Sequence, residues 1–252
     1  MRLLLSLFAA SQLLLTPLAM AQNSYLSINP TLYASIPYDS LKDLAPVIYV
    51  ASAPLVLVVA ADSPFKTLAD IIAASKAKPS SLNFASPGNG TVTHLAGELL
   101  QKAGGFKFTH IPYRNSSLAS TDLIGGQVQM FMASVPTLMG FIRNGKMRAI
   151  AVTSLQRVED LPSVPTVAES GFKGFEATTW YGIVAPTGTP KEVLTLLNTL
   201  MNVALQSPEL KAKFAEQGAL AQGSTPERFA KQIRDELQRW APIIKESGAR
   251  LD

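Results

Sequence analysis

Along the chain, short runs rich in β-branched and apolar residues alternate with stretches whose apolar positions recur at helical spacing. Residues 47–51 and 55–60 are expected strands, split by Ala53-Pro54. Thr67 is placed to cap a helix over 68–76, with Leu68, Ile71, Ile72 and Ser75 on one face. A strand is predicted at 82–85, a helix at 91–102 that stops at Gly104-Gly105, and a strand at 106–111. Residues 118–124 and 137–143 read as helices, 128–133 and 148–153 as strands. After a connection holding Pro162, Pro165, Gly171 and Gly174, residues 180–185 return as an apolar strand.

This β-α-β-α rhythm predicts an α/β fold with a mostly parallel sheet. Beyond residue 188 the pattern turns helical. Thr189-Pro190-Lys191-Glu192 fits a capping box with proline in the first helical position, ahead of a helix expected to bury Val193, Leu197, Leu200 and Ala204. Ser207-Pro208-Glu209 and Thr225-Pro226-Glu227 repeat the device, for helices ending near Gly218 and Gly248.

The first 21 residues read as an export leader: Arg2, then an apolar run from Leu3 to Leu18, then Ala19-Met20-Ala21 as a small-x-small cleavage site that leaves Gln22 first. An uncleaved membrane helix fits less well, because Pro17 breaks the run and no basic stop-transfer cluster follows. The expected location is therefore the periplasm, as a soluble protein.

Composition narrows the function. The 252 residues are 47% apolar and 16% charged, which suits a folded chain with a sizeable core. A net charge of +4 without basic runs or interleaved aromatics argues against nucleic acid. Cysteine is absent, so disulfides, thiolate metal sites, a cysteine nucleophile and a lipid-modified cysteine are all excluded.

Catalytic motifs are near-misses. Gly140 to Lys146 has phosphate-loop spacing, but Met147 replaces the Ser or Thr that would hold magnesium, and the segment reads as a helix-to-strand turn. Ser75-Lys76-Ala77-Lys78 lies at a helix end, without companion motifs. His94 and His110 are sixteen apart, on different expected elements, and lack acidic neighbours at ligand spacing. No enzyme, metal or cofactor is expected.

Binding chemistry is better represented. The loop Ser86-Pro87-Gly88-Asn89-Gly90-Thr91 follows a strand and opens a helix, whose free N–H groups and positive dipole end attract carboxylates. The two glycines admit close approach; an ordinary strand-to-helix turn has the same spacing. Tyr113-Arg114-Asn115-Ser116-Ser117 is a second such place, where Arg114 is either a bidentate carboxylate partner or a surface arginine. Ser134-Val135-Pro136 is a third, and such strand-end loops of an open α/β sheet can share one cleft. Trp180 and Tyr181 are either an aromatic wall for that cleft or plain core.

From Asn29 onward the chain resembles the periplasmic substrate-binding proteins of tripartite tricarboxylate transporters, the TctC or Bug family. The resemblance rests on Ile28-Asn29-Pro30, Pro37-Tyr38-Asp39-Ser40-Leu41-Lys42-Asp43, the stretch from Leu82 to Thr91, and His94-Leu95-Ala96-Gly97-Glu98. It continues through Ile111-Pro112-Tyr113, Gly145 to Thr153, Leu161-Pro162-Ser163-Val164-Pro165, and Trp180-Tyr181-Gly182 to Pro190.

The likeness implies a type II two-lobed clamshell of periplasmic-binding-protein kind, a monomer that captures a small organic carboxylate and hands it to membrane permease subunits. One lobe is expected to be 62–179, the other 22–61 plus 180–252. The residues it marks for ligand are Ser86, Gly88, Asn89, Gly90, Thr91, Tyr113, Arg114, Ser134, Trp180 and Tyr181. Two departures stand out. A β-α-β-α block, on the order of 60 residues, is missing after the leader, which leaves one lobe incomplete. Gln129, Ala133 and Ser134 stand where the family often has acidic or amide side chains, which favours a plain carboxylate over an amino acid. Alternatives are a degenerate, non-binding paralogue and a receptor that presents ligand to a sensor kinase.

Overall fold

The computed structural model describes residues 18–251, so most of the expected leader lies outside the described residues. In chain order the elements are β1 (Ala19–Gln22), a π-helical turn (Ser24–Ile28), α1 (Asn29–Leu32), β2 (Leu44–Ala60), α2 (Leu68–Ala77), β3 (Asn83–Ser86), α3 (Val92–Gly104), β4 (Thr109–Pro112) and α4 (Ser116–Ile124). There follow β5 (Met130–Ser134), α5 (Val135–Arg143), β6 (Met147–Val152), β7 (Thr178–Pro186), α6 (Lys191–Gln206), α7 (Pro208–Glu216), β8 (Leu220–Ala221) and α8 (Pro226–Ser247). No helix among the described residues is long and apolar enough to cross a membrane.

Local chemistry accounts for most helix starts. The Thr67 hydroxyl accepts the Asp70 N–H while the Asp70 carboxylate accepts the Thr67 N–H, a reciprocal capping box. Thr91, Asn115, Ser207 and Thr225 cap α3, α4, α7 and α8 in the simpler way. The box expected at Thr189 does not form. Pro190 is itself the cap residue, so Glu192 falls one position too early to reach back, and the Thr189 hydroxyl is buried without a partner.

β2 is the spine. The strands run in the order β1-β7-β2-β5-β3-β4, and β6 and β8 also pair with β2. The βαβ crossover through α3 makes β3 parallel to β4, and β3 is also parallel to β5. Every pair made by β2 is antiparallel, as is β1 with β7, so the sheet is mixed. The two strands expected at 47–51 and 55–60 are one. Pro54 has no N–H to give, and it sits where β2 leaves β7 for β5 and β6.

Side chains alternate across β2 and β7 and divide the core. Leu55, Leu57 and Val59 face a cluster with α2, α3 and the second half of α8; Val56 and Val58 face α4 and α5. Trp180 and Val184 face the first half of α8, whereas Ile183 and Ala185 face α6. The packing crosses the expected lobe boundary at residues 61 and 62. Residues 55–60 pair with β5 and β6, and Ile28, Leu32, Trp240, Ile243 and Ile244 pack in the same cluster as Phe84 and Leu95. α8 thus spans both halves of the molecule.

β1 holds the residues on either side of the expected leader cut. Ala19–Gln22 pair with Val184 to Tyr181, and Ala21 packs with Leu26, Trp180 and Phe229. A cut after Ala21 would remove three of the strand's four residues.

α6 also differs from its expected face. Its apolar residues form two stripes, and helical periodicity alone cannot choose between them. The amides of Asn198 and Asn202 choose: Asn198 Nδ2 donates to Val47 O at 2.8 Å and Ser224 O at 2.7 Å, and Asn202 Nδ2 to Ser224 O at 3.1 Å. That rotation turns Leu194, Leu197, Met201 and Leu205 inward and leaves Val193, Leu200 and Ala204 outside. Leu200 is 58% exposed, so Leu200→Lys is expected to change stability by no more than about 0.5 kcal/mol in urea unfolding. A loss of several kcal/mol would restore the other face.

Candidate functional site

The parallel register brings the three predicted loops to one edge. Ser86 lies level with Pro112, Ala85 level with Phe131, and Ser134 is paired with Leu55 where β2 enters this half of the sheet. The carboxyl ends of β3, β4 and β5 thus open together, and the Tyr113 N–H donates to Ser86 O at 2.9 Å to tie two of the loops. Across the seam, Leu32 packs directly on Gly90, and the turn at Gly218 lies against Val135 and Pro136.

The 86–91 loop is braced from within. Ser86 Oγ donates to Gly88 O at 2.9 Å, accepts the Gly88 N–H at 3.2 Å, and stands 2.7 Å from His110 Nε2. Thr91 Oγ1 donates to Gly88 O at 2.8 Å and accepts the His94 N–H at 3.3 Å. Gly90, at φ +70°, donates its N–H to His94 Nδ1 at 3.1 Å. Ser86 is buried, so its hydroxyl and that of Thr91 shape the loop. What the loop can offer a ligand is the exposed Asn89 and the backbone N–H groups of Val92 and Thr93, the first-turn amides of α3 that the Thr91 cap leaves.

The other predicted residues divide. Arg114 is exposed, with no hydrogen-bond or ion-pair partner among the described residues. The Ser134 hydroxyl lies 2.7 Å from that of Thr137, on the same edge. Tyr113 is engaged elsewhere: its hydroxyl donates to Asp122 Oδ2 at 2.7 Å, and burial together with that carboxylate pushes its pKa up to about 12. Trp180 is core and not a wall. It is fully buried against Tyr49 and Phe229, and its indole N–H donates to Glu236 Oε2 at 3.1 Å. Tyr181, on the opposite face of β7, is half-buried, and burial raises its hydroxyl pKa.

Sequence reasoning missed Leu32 and the two histidines. The histidines do lie on different elements, yet their rings stack 3.8 Å apart, 9° from parallel. The signal was the βαβ crossover itself, which lays the first turn of α3 over β4.

A second concavity, about 260 Å³, lies behind the sheet where α8 crosses it, lined by Tyr49, Ser52, Glu176, Arg228, Glu236 and Arg239. Glu236 is buried there and accepts indole N–H groups from both Trp180 and Trp240; burial raises its pKa.

The family profile described as "Tripartite tricarboxylate transporter family receptor" matches residues 16–249. The chain belongs to this family. Protein BugT of Bordetella pertussis is 39% identical over 236 residues, 94% of this chain and 72% of that protein. A UPF0065 protein from the tcbD-tcbE intergenic region of Pseudomonas sp. (strain P51) is 41% identical over 215 residues, 85% of this chain and 64% of that protein. The chain therefore spans about two-thirds of the length of these relatives. Among solved structures, R. palustris Rpa4515 with adipate superposes with a TM-score of 0.83 at 31% identity, covering 97% of this chain and 84% of that one. Tripartite tricarboxylate receptors are substrate-binding proteins.

Proposed function

We propose that this receptor works outside the cytoplasm, closing its two halves on a small dicarboxylate and delivering it, without chemical change, to a tripartite tricarboxylate-type permease. The observation that carries this reading is the 86–91 loop, braced internally so that the Val92 and Thr93 N–H groups of the first turn of α3 are left for an anion. Arg114 and the Ser134–Thr137 hydroxyl pair stand on the same edge to meet a second carboxylate. The adipate bound by the R. palustris relative is a ligand of this class. The apolar run of residues 3–18 supports export. Cleavage after Ala21 belongs to the same reading, and it would detach Ala19, Met20 and Ala21 from their pairing with β7. Monomeric action fits a clamshell that needs no second copy to complete its seam.

The test is thermal unfolding of the full chain with adipate, shorter and longer dicarboxylates, and monocarboxylate controls. A ligand that binds only the folded state stabilises it by about 2.7 kcal/mol at a hundred times its Kd, a clear rise in Tm. A rise with one dicarboxylate and none with its monocarboxylate is expected. A cooperative melt that no acid moves would sink the reading.

A further inference from the structure

The histidine pair beneath the 86–91 loop has no part in the function so far, and its wiring is specific. Ser86 Oγ lies 2.9 Å from Gly88 O and 2.7 Å from His110 Nε2; with the hydroxyl proton given to Gly88 O, the His110 contact is donated by the ring N–H. His94 accepts from Gly90 at Nδ1, so its proton sits on Nε2, which faces Glu98 Oε1 at 3.7 Å. Each ring holds one end of the loop, and the Gly90 bond needs the lone pair of His94 Nδ1 free.

We propose that His94 and His110 are positioning residues that keep the ligand loop in its binding shape while the Nδ1 lone pair of His94 is free to hold Gly90, so that the receptor releases its dicarboxylate in acid. This rests on the binding reading above. A proton added at His94 Nδ1 occupies the lone pair that holds Gly90, and sets N–H against N–H. A proton added at His110 leaves the Ser86 bond but puts a cation face to face with His94. Two rings stacked at 3.8 Å hold at most one charge.

The surroundings supply few other charges. Ser86 and Phe84 of β3 face His110, the Phe84 ring at 5.9 Å, and Glu98 is the charged group beside the pair. Lys102 of α3 and Glu246 of α8, themselves paired at 2.7 Å, lie beyond Glu98 around one small cavity. Burial, and then the neighbouring His94, depress His110 to about 4. The unfolded chain takes up that proton near 6.5. Stability that neutral His110 contributes is therefore complete above about 6.5 and is lost as pH falls toward about 4.

The experiment measures adipate Kd by calorimetry from pH 7.5 to 4.5, and exchange of the Gly90 amide by NMR without ligand. Both are run on the full chain and on His94→Gln and His110→Gln. Glutamine can accept from Gly90 or donate to Ser86, and does not titrate. The wild type is expected to lose affinity on acidification about tenfold more than His94→Gln, the scale of one lost loop hydrogen bond. Its Gly90 amide loses protection over the same range, while that of His94→Gln stays protected. Titration of adipate itself acts on all proteins alike and cancels in the difference. Equal acid slopes in wild type and variants, or Gly90 protection that ignores pH, would overturn the proposal. If no dicarboxylate binds at any pH, the binding reading fails, and the Gly90 exchange still decides whether the pair holds the loop.

Discussion

Trp180→Ala is expected to lower the stability of the folded chain by about 3–5 kcal/mol, the usual cost of truncating a large buried aromatic. The indole sits between Tyr49 and Phe229, with ring centroids 5.6 and 5.5 Å away. Its N–H is one of the two that satisfy the buried carboxylate of Glu236. Truncation therefore opens a cavity and strips a donor from an acceptor that water reaches only through the neighbouring polar cavity. Trp180→Phe separates the two effects: most of the volume returns, the hydrogen bond does not, and a loss of about 1–2 kcal/mol is expected. Urea unfolding gives both numbers. Adipate affinity of the folded Phe variant should match wild type, because the side chain faces α8 and not the seam. A Phe variant with native stability and much weaker binding would put Trp180 back in the site.

Gly90→Ala is expected to weaken dicarboxylate binding tenfold or more and to destabilise the fold. Two separate causes act. A residue with a side chain costs about 1–2 kcal/mol in the left-handed region, where Gly90 sits at φ +70°. A Cβ there would also lie 2.1 Å from Leu32 Cδ2, so the contact that joins the two sides of the seam has to open. The double variant Gly90→Ala/Leu32→Ala makes the causes separable. If the clash matters, the double variant is less destabilised than the sum of the singles, by about 0.5–3 kcal/mol. The backbone penalty stays in both. Melts of the four proteins, with and without adipate, close the cycle. Unchanged affinity in Gly90→Ala would show that the 86–91 loop does not hold the ligand.

Much of the local structure was legible because it is set by chemistry within a few residues. Thr67 with Asp70, Ser207 and Thr225 announce their helices, since a hydroxyl three residues before a free N–H needs no tertiary help. Thr189 fails for the same reason seen from the other side: a start displaced by one residue moves Glu192 out of reach. The loops at Ser86, Arg114 and Ser134 were readable as strand ends, and parallel pairing of β3 with β4 and β5 brought them together as the α/β pattern implied.

What each polar atom in those loops does was not legible. Ser86 and Thr91 are the residue types that bind carboxylates, yet their hydroxyls are spent on Gly88. Tyr113 is spent on Asp122 and Trp180 on Glu236. A donor's type is local, but its partner is chosen by whatever the fold brings within 3 Å, and those partners come from 9 and 56 positions away. The rotation of α6 is decided in the same way. Both of its apolar stripes satisfy the helical period, and only Val47 O and Ser224 O, meeting Asn198, select one.

The sequence by itself determined the α/β alternation, the helix caps, the three strand-end loops and the family likeness, all carried by neighbours along the chain. Tertiary structure alone decided that β2 runs unbroken past Pro54, that Ala19–Gln22 belong to the sheet, that α8 spans both halves, and that His94 stacks on His110. Each of these depends on groups that meet only after the chain has packed, and no periodicity along the sequence records such a meeting.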